Sequence, residues 1–378
     1  VGGAAITEEF YPGFRNSILS FVVGLLPEHI IHEMELRKFG LRIIDRRISS
    51  FQAYDDGRHL LLTMDKKANF SEYKKFSSYD AEQIPHYEAM LSDIAKVIKQ
   101  LSYQTPANLG TKLKDLARLG KTALTLRKLP QERYPEFADL FTKSAADFLE
   151  GWFESDAVKG NLALTAVVGN LVSPYHPGSS IVLLHSIYGE TNGVKGAFGV
   201  PQGGMGSITQ AMAEFCESKG VDISVDAAVQ QVLVENDCVQ GVTLEDGTTI
   251  EGKIVVSNVN PKLLFLHLMD QNDLPSYVID RMRQWRCKGG VLRINAALSE
   301  LPTFSCYPDL HPDAYTGMFK ISPSIPYLER AYDDAKNGGW SKEAAIMWSI
   351  PSTLDESLAP KGLHVASIFA QHFHPNLN

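Results

Sequence analysis

The stretch Gly199-Val-Pro-Gln-Gly203-Gly204-Met205-Gly206-Ser207-Ile208-Thr209-Gln210 decides how this chain is read. Its glycines at 199, 203, 204 and 206 suit a close approach of backbones better than a packed element, and the following residues turn helical at once. Ser207 with Gln210 three residues on reads as a capping box, Ile208, Ala211, Met212 and Phe215 share one face, and Gly220 ends the helix. Such a turn can place amides and the positive end of a helix dipole beside an anion. It also reads as no more than a tight turn where the chain crosses between domains.

Downstream, short β runs at 221–225, 229–235, 239–244, 248–250 and 254–256 surround the hairpin signal Asp246-Gly247. The last, Ile254-Val-Val256, stops at Ser257-Asn258, as a buried parallel strand does when its carboxyl end meets a ligand crevice. A helix around Tyr277–Gln284 and a strand over Val291–Leu298 follow. Upstream, from Ala81 to about Leu171, positions such as Tyr87, Leu91, Ile94, Val97, Ile98 and Leu101 keep helical spacing, which predicts a mainly helical block. Residues 1–65 read as a glycine-rich loop, a short helix and strands on either side of the turn Asp55-Asp56-Gly57.

The 378 residues exceed one ordinary core, so two domains are expected. A formal charge of -8 gives no basic footprint for nucleic acid. The apolar run Ile18–Leu26 is about half of the ~20 residues a membrane span needs and reads as core, with contact to a lipid-like substrate or a membrane surface as the rarer reading. Cys216, Cys238, Cys287 and Cys306 stand too far apart for a CxxC pair, which suits a reducing interior. Asp115 occupies the place where a phosphate loop ending Gly120-Lys121-Thr122 needs glycine, and neither GxSxG nor HExxH occurs. His372 and His374 do not make a metal site by spacing alone, and no metal is expected. His176, His185 and Tyr188 sit in or beside apolar stretches, where a hydrogen-bonded core role outweighs catalysis.

Taken in order, Gly2-Gly3-Ala4-Ala5-Ile6-Thr7, the glycine block at 199–208, Asp226-Ala-Ala-Val229-Gln-Gln-Val232, Gly241-Val-Thr-Leu-Glu-Asp246-Gly247 and Val255-Val256-Ser257-Asn258 resemble the phytoene desaturase-like flavoproteins over essentially the whole chain. Trp152-Phe-Glu-Ser-Asp156, Tyr175-His-Pro-Gly178 and Val182-Leu-Leu-His185 narrow the resemblance to one branch of that family.

The resemblance implies an α/β (α+β overall) fold: a discontinuous Rossmann-like FAD/NAD(P)-binding domain with an inserted substrate domain of helices and antiparallel sheet. The corresponding division is 1–65 and 196–260 for FAD, 66–195 and 261–378 for substrate. It implies an FAD-dependent oxidoreductase moving hydride at carbon on an apolar or lipid-like substrate, with flavin N5 as acceptor. By position Gly2, Gly3 and Thr7 match the double-glycine motif beside diphosphate and flavin, and Gly203, Gly204 and Met205 match the return to the flavin domain. Val229 matches the valine whose backbone pairs with adenine, and Ser257 and Asn258 the strand end bordering the nucleotide. In that family a GxGxxG unit precedes the segment equivalent to Val1 and a flavin-contacting segment follows Asn378, so a fragment with weakened FAD binding is expected. No catalytic base is assigned, His185 being the best candidate. Two rival readings stand beside this one: a non-catalytic or regulatory protein of mitochondrial function acting through protein partners, and a flavin-dependent polyene isomerase. Cytoplasm is expected for a bacterial source and the mitochondrial matrix for a eukaryotic one, with peripheral membrane contact left open.

Overall fold

In chain order the main elements are strands β1 (Thr7–Tyr11), β2 (Phe14–Ser17), β3 (Ile48–Ala53) and β4 (His59–Thr63), helices α1 (Ser78–Ser102), α2 (Asp156–Val167) and α3 (Gly206–Ser218), strands β5 (Val229–Glu235), β6 (Cys238–Leu244) and β7 (Thr249–Glu251), helix α4 (Ser276–Gln284), and strands β8 (Val291–Leu298), β9 (Met318–Ile321), β10 (Ile346–Ser349) and β11 (His364–Gln371). They come from a computed structural model that describes residues 1–108, 110, 112–287 and 289–377. Two compact units result, Val1–Phe215 with Gly289–Asn378, and Cys216–Lys288.

The larger unit is organised on a six-stranded mixed sheet of order β8-β11-β10-β9-β3-β4, in which β9 and β3 run parallel and the other neighbours antiparallel. The β3–β4 hairpin closes on Asp55-Asp56-Gly57, as the Asp-Gly signal predicts, with Gly57 at φ 83° and the Asp56 carboxylate accepting from the Arg58 amide at 2.9 Å. Because side chains alternate along a strand, β9 sends Phe319 to one face and Met318 and Lys320 to the other. Phe319 joins an aromatic cluster with Phe51, Phe304 and Trp348, its ring centroid 4.4 Å from that of Trp348 and 5.3 Å from that of Phe304.

The expected helical block is present. α1 carries buried Tyr87, Leu91, Ile94 and Val97 on one side, and they share a core with Leu149, Val158, Leu164 and Leu328. Asp80, in the first turn of α1 and fully buried, accepts hydrogen bonds from the amides of Glu154 and Ser155 at 2.8 and 2.9 Å and so fixes the approach to α2. α2 lies against the sheet so closely at Gly160 that a Cβ there would come within 2.5 Å of Ser324 backbone, while Ser322 Oγ donates to Gly160 O at 2.7 Å.

The smaller unit contains the antiparallel meander β7-β6-β5 with Gly247 at φ 85° in its turn, followed by α4. Two expected strands are absent. Residues 221–225 and 254–256 have no ladder partner among the described residues, and Ile254 and Val256 are 81% and 90% exposed. An apolar run becomes a buried strand when neighbouring strands supply ladder bonds on its edges, and no described strand flanks this one.

A third correction concerns α3. Ser207 Oγ donates to Gly204 O at 2.8 Å and Gln210 Nε2 to Glu214 Oε1 at 3.1 Å, so the capping box does not form. The helix begins at Gly206, two residues earlier than the box requires, and hydroxyls from other strands satisfy its leading amides. Its end follows expectation: Gly220 adopts φ 80° and the Val221 amide reaches back to Cys216 O at 3.1 Å.

Candidate active site

The start of α3 and the start of the chain meet. Gly206 N–H donates to Thr7 Oγ1 and Met205 N–H to Ser17 Oγ, each at 2.9 Å, and Gly203 N–H donates to Asp355 Oδ2 at 2.6 Å. Gly204, at φ 82°, sits so close to Thr7 and Ser17 that a Cβ would overlap the Thr7 hydroxyl. Gly2, at φ 137°, lies against Thr209, where a Cβ would approach Oγ1 to 3.0 Å. Thus Gly2, Thr7, Gly204 and Met205 form one tight junction, and the glycines are there because two backbones meet.

Gly3 differs from them. At φ 50° it has no atom within 4 Å of the position a Cβ would take, and the amides of Gly3 and Ala4 donate to no group among the described residues. An open glycine beside free amides, two residues before the cavity-lining Ala5, fits a cofactor that carries phosphate and a ring edge. Val229 opens β5, and Ser257 and Asn258 lie exposed in the segment after β7, Ser257 Oγ accepting from Val259 N–H at 3.4 Å. These three belong to the smaller unit.

Ala5 and Met205, at the edges of this junction, also line a cavity of about 590 Å³, within the range of small-molecule sites. Its floor is the face of the sheet opposite the aromatic cluster: Ser50, Met318, Lys320, Met347 and Phe369. The register explains the row, because Gln52, Lys320, Met347, Phe369 and Arg293 are successive cross-strand partners. Of the run Ile18–Leu26, expected as core, Val23 and Leu26 pack in a core cluster, and Leu19–Leu26 also form an irregular wall of the cavity. Phe198 anchors that wall, since Gly24 and Gly189 have no side chains where its ring passes.

At one end of the wall, Arg293 ties the loop to the sheet. Its guanidinium donates to Ile18 O at 3.3 Å and Ser367 Oγ at 2.8 Å and lies 4.8 Å from the centre of the Phe21 ring. Neighbouring Asn16, fully enclosed, donates to Ser367 Oγ at 2.9 Å and Asn295 Oδ1 at 3.1 Å. Burial lowers the Arg293 guanidinium to about 10.

Two cations stand at the cavity itself. Arg46 donates Nε–H to Phe198 O at 2.8 Å, and its Nη1 is sealed from solvent without a partner among the described residues. Lys320 donates from Nζ to Asn161 Oδ1 at 3.3 Å, and Asn161 Nδ2 donates to Gln52 Oε1 at 3.0 Å, whose Nε2 donates to Ser322 O at 2.9 Å. Burial lowers Arg46 to about 10, and burial together with the Arg46 charge pushes the Lys320 ammonium down to about 8. Among the described residues no Asp or Glu lines this cavity. His185, the candidate base, lines it with its ring 5.4 Å from the Phe198 ring, stacked, and burial lowers its imidazole pKa.

Sequence reading missed Arg46, Gln52, Asn161 and Lys320. Only the alternation Met318-Phe-Lys320 carried a signal, by putting lysine on the same strand face as methionine. His372 Nε2 donates to Val172 O at 3.1 Å, and no group of three metal-ligating side chains occurs among the described residues.

Residues 45–292 match the model of the family described as flavin containing amine oxidoreductase. The chain belongs to that family. A curated relative, pyridine nucleotide-disulfide oxidoreductase domain-containing protein 2 of Mus musculus, is 35% identical over 392 residues, covering 98% of this chain and 68% of the relative. Prolycopene isomerase of Daucus carota is 29% identical over 191 residues, half of this chain and 27% of the isomerase. Among solved structures, an oxidoreductase from Methanosarcina mazei superposes with TM-score 0.54 at 16% identity over 99% of this chain and 72% of that one. That likeness carries the fold alone, and it is the fold of FAD-dependent oxidoreductases with a Rossmann-like domain. As a flavin containing amine oxidoreductase family member with phytoene desaturase-like relatives, the protein is an FAD-dependent oxidoreductase, as the sequence resemblance implies.

Proposed function

We propose that the cavity on the sheet is the substrate chamber of this oxidoreductase and that it takes an apolar molecule from which hydride is removed or moved at carbon. The observation that carries this reading is that Ala5 and Met205, on either side of the glycine junction, also wall the cavity. FAD bound beside that junction supplies a two-electron acceptor. On this reading Gly3 admits the cofactor closely and Gly2, Thr7, Gly203, Gly204 and Met205 hold the junction, while the assignment of Val229, Ser257 and Asn258 to adenosine rests on the sequence resemblance. Segments 1–65 and 196–260 then act for the cofactor, and 66–195 and 261–378 for the substrate.

The chain's own residues position and desolvate. The Leu19–Leu26 wall and the methionines of the floor exclude water and leave an apolar substrate few ways to lie. The likeness to prolycopene isomerase favours a second reading, redox-neutral isomerisation of a polyene in the same chamber. All four cysteines are free thiols, so dithiol exchange, which the mouse relative's name suggests, is not proposed.

The test is a titration of the full-length protein with FAD, followed by anaerobic assay with apolar dehydrogenation substrates and with polyenes. Flavin absorbance that binds and bleaches with substrate supports oxidation, and turnover on reduced flavin without net electron transfer supports isomerisation. A Gly3→Asn variant, which tolerates the φ of 50° and whose side chain enters open space, is expected to weaken FAD binding while keeping its far-UV spectrum. Failure of the full-length protein to bind FAD would refute the proposal.

A further inference from the structure

We infer that the cavity holds an anion, and that Lys320, with Arg46 behind it, anchors the carboxylate end of an otherwise apolar substrate. This rests on the cavity being the substrate chamber and adds what that chamber selects.

An ammonium has three N–H donors. Lys320 gives one to Asn161 Oδ1, and among the described residues no acidic side chain lines the cavity to take the others. The Lys320–Asn161–Gln52–Ser322 chain holds the ammonium at the floor, where β9 aims it into the chamber beside Met318 and Met347. Arg46 adds a second positive charge to the same cavity and makes no ion pair among the described residues. Two cations kept in an apolar enclosure without a counter-ion cost folding free energy, and a bound anion recovers it. Even with its proton loosened to about 8, Lys320 is about nine-tenths charged at neutral pH.

The same arrangement selects against the substrates that the family's description suggests. A protonated amine would meet Lys320 and Arg46 with no carboxylate between them, and like charges in a low-dielectric site repel strongly. A carboxylate oxygen at Lys320 gains a charge-assisted hydrogen bond, while its hydrocarbon lies along Phe369 and the Leu19–Leu26 wall.

The experiment compares dodecanoate, dodecanol and dodecylamine on the full-length protein, with and without FAD, by quenching of intrinsic tryptophan fluorescence. Dodecanoate is expected to bind at least about tenfold more tightly than dodecanol, the value of one charge-assisted hydrogen bond, and dodecylamine most weakly. Lys320→Met is expected to shrink the preference to within about threefold, and Lys320→Arg to retain it. Equal binding of acid and alcohol, tighter binding of the amine, no binding of any of the three, or a preference that survives Lys320→Met would overturn the inference. A shift of the flavin potential in Lys320→Met with dodecanoate binding unchanged would assign the charge to the cofactor and overturn it also. Loss of FAD binding with the acid preference intact would refute the proposed function and leave the carboxylate anchor standing.

Discussion

Replacing Lys320 by methionine should make the protein more stable, and by an amount that depends on pH. Lys320 has an ordinary value of 10.5 when unfolded and about 8 in the fold, because burial and Arg46 oppose its charge. Two and a half units at 1.36 kcal/mol each give a cost of about 3 kcal/mol for keeping the folded lysine charged. The sign follows from proton binding. Below pH 8 both states hold the proton and the cost is fully present. Between 8 and 10.5 the unfolded chain still holds a proton that the folded chain has released, so wild-type stability rises with pH. Methionine removes the charge and fills similar volume, at the loss of the hydrogen bond to Asn161, about 1 kcal/mol. The net expectation is a gain of about 2 kcal/mol at pH 7 that narrows above pH 8, passes through zero between about pH 9 and 10, and becomes a loss of about 1 kcal/mol above about pH 10.5, where only the missing hydrogen bond remains. Urea unfolding of both proteins at pH 7 and pH 10 measures it. A variant less stable at pH 7, or a difference that does not change with pH, would refute the claim that this ammonium is held at a cost.

Three further outcomes follow from the same structure. Asn161→Ala should cost about 1–3 kcal/mol, since it strands Gln52 Oε1 in a fully buried position, and equilibrium unfolding with urea will show it. Gly204→Ala should lower the thermal midpoint, because its φ of 82° and the overlap with Thr7 both oppose a side chain; an unchanged midpoint would mean the junction is looser than described. His372 is buried with Nδ1 unpartnered among the described residues, and burial lowers its imidazole to about 4, so stability present above pH 6.5 is lost as pH falls toward 4. His372→Asn, which tolerates the φ of 64°, should flatten that acid limb of the melting profile while leaving its value at pH 7 lower.

The hairpins and helices were legible because their signals are local. Asp55-Asp56-Gly57 and Asp246-Gly247 each close a hairpin, and the spacing of Tyr87, Leu91 and Ile94 fixes the buried face of α1. The cap of α3 was misread because Thr7 and Ser17 compete for its amides from nearly two hundred residues away, which no window around Ser207 contains. Ile254–Val256 was misread for a related reason: an apolar run says what a strand would bury, and pairing decides whether there is one.

By itself, the order of glycine blocks along the chain determined the family and its cofactor, since a backbone that must admit a dinucleotide or another backbone leaves glycine no substitute. Tertiary structure alone decided the chamber. Arg46, Asn161 and Lys320 stand far apart in sequence and look like ordinary surface residues there. They acquire meaning when a parallel strand pairing and a close helix–sheet contact bring them to one apolar enclosure, where charge has no water to lean on.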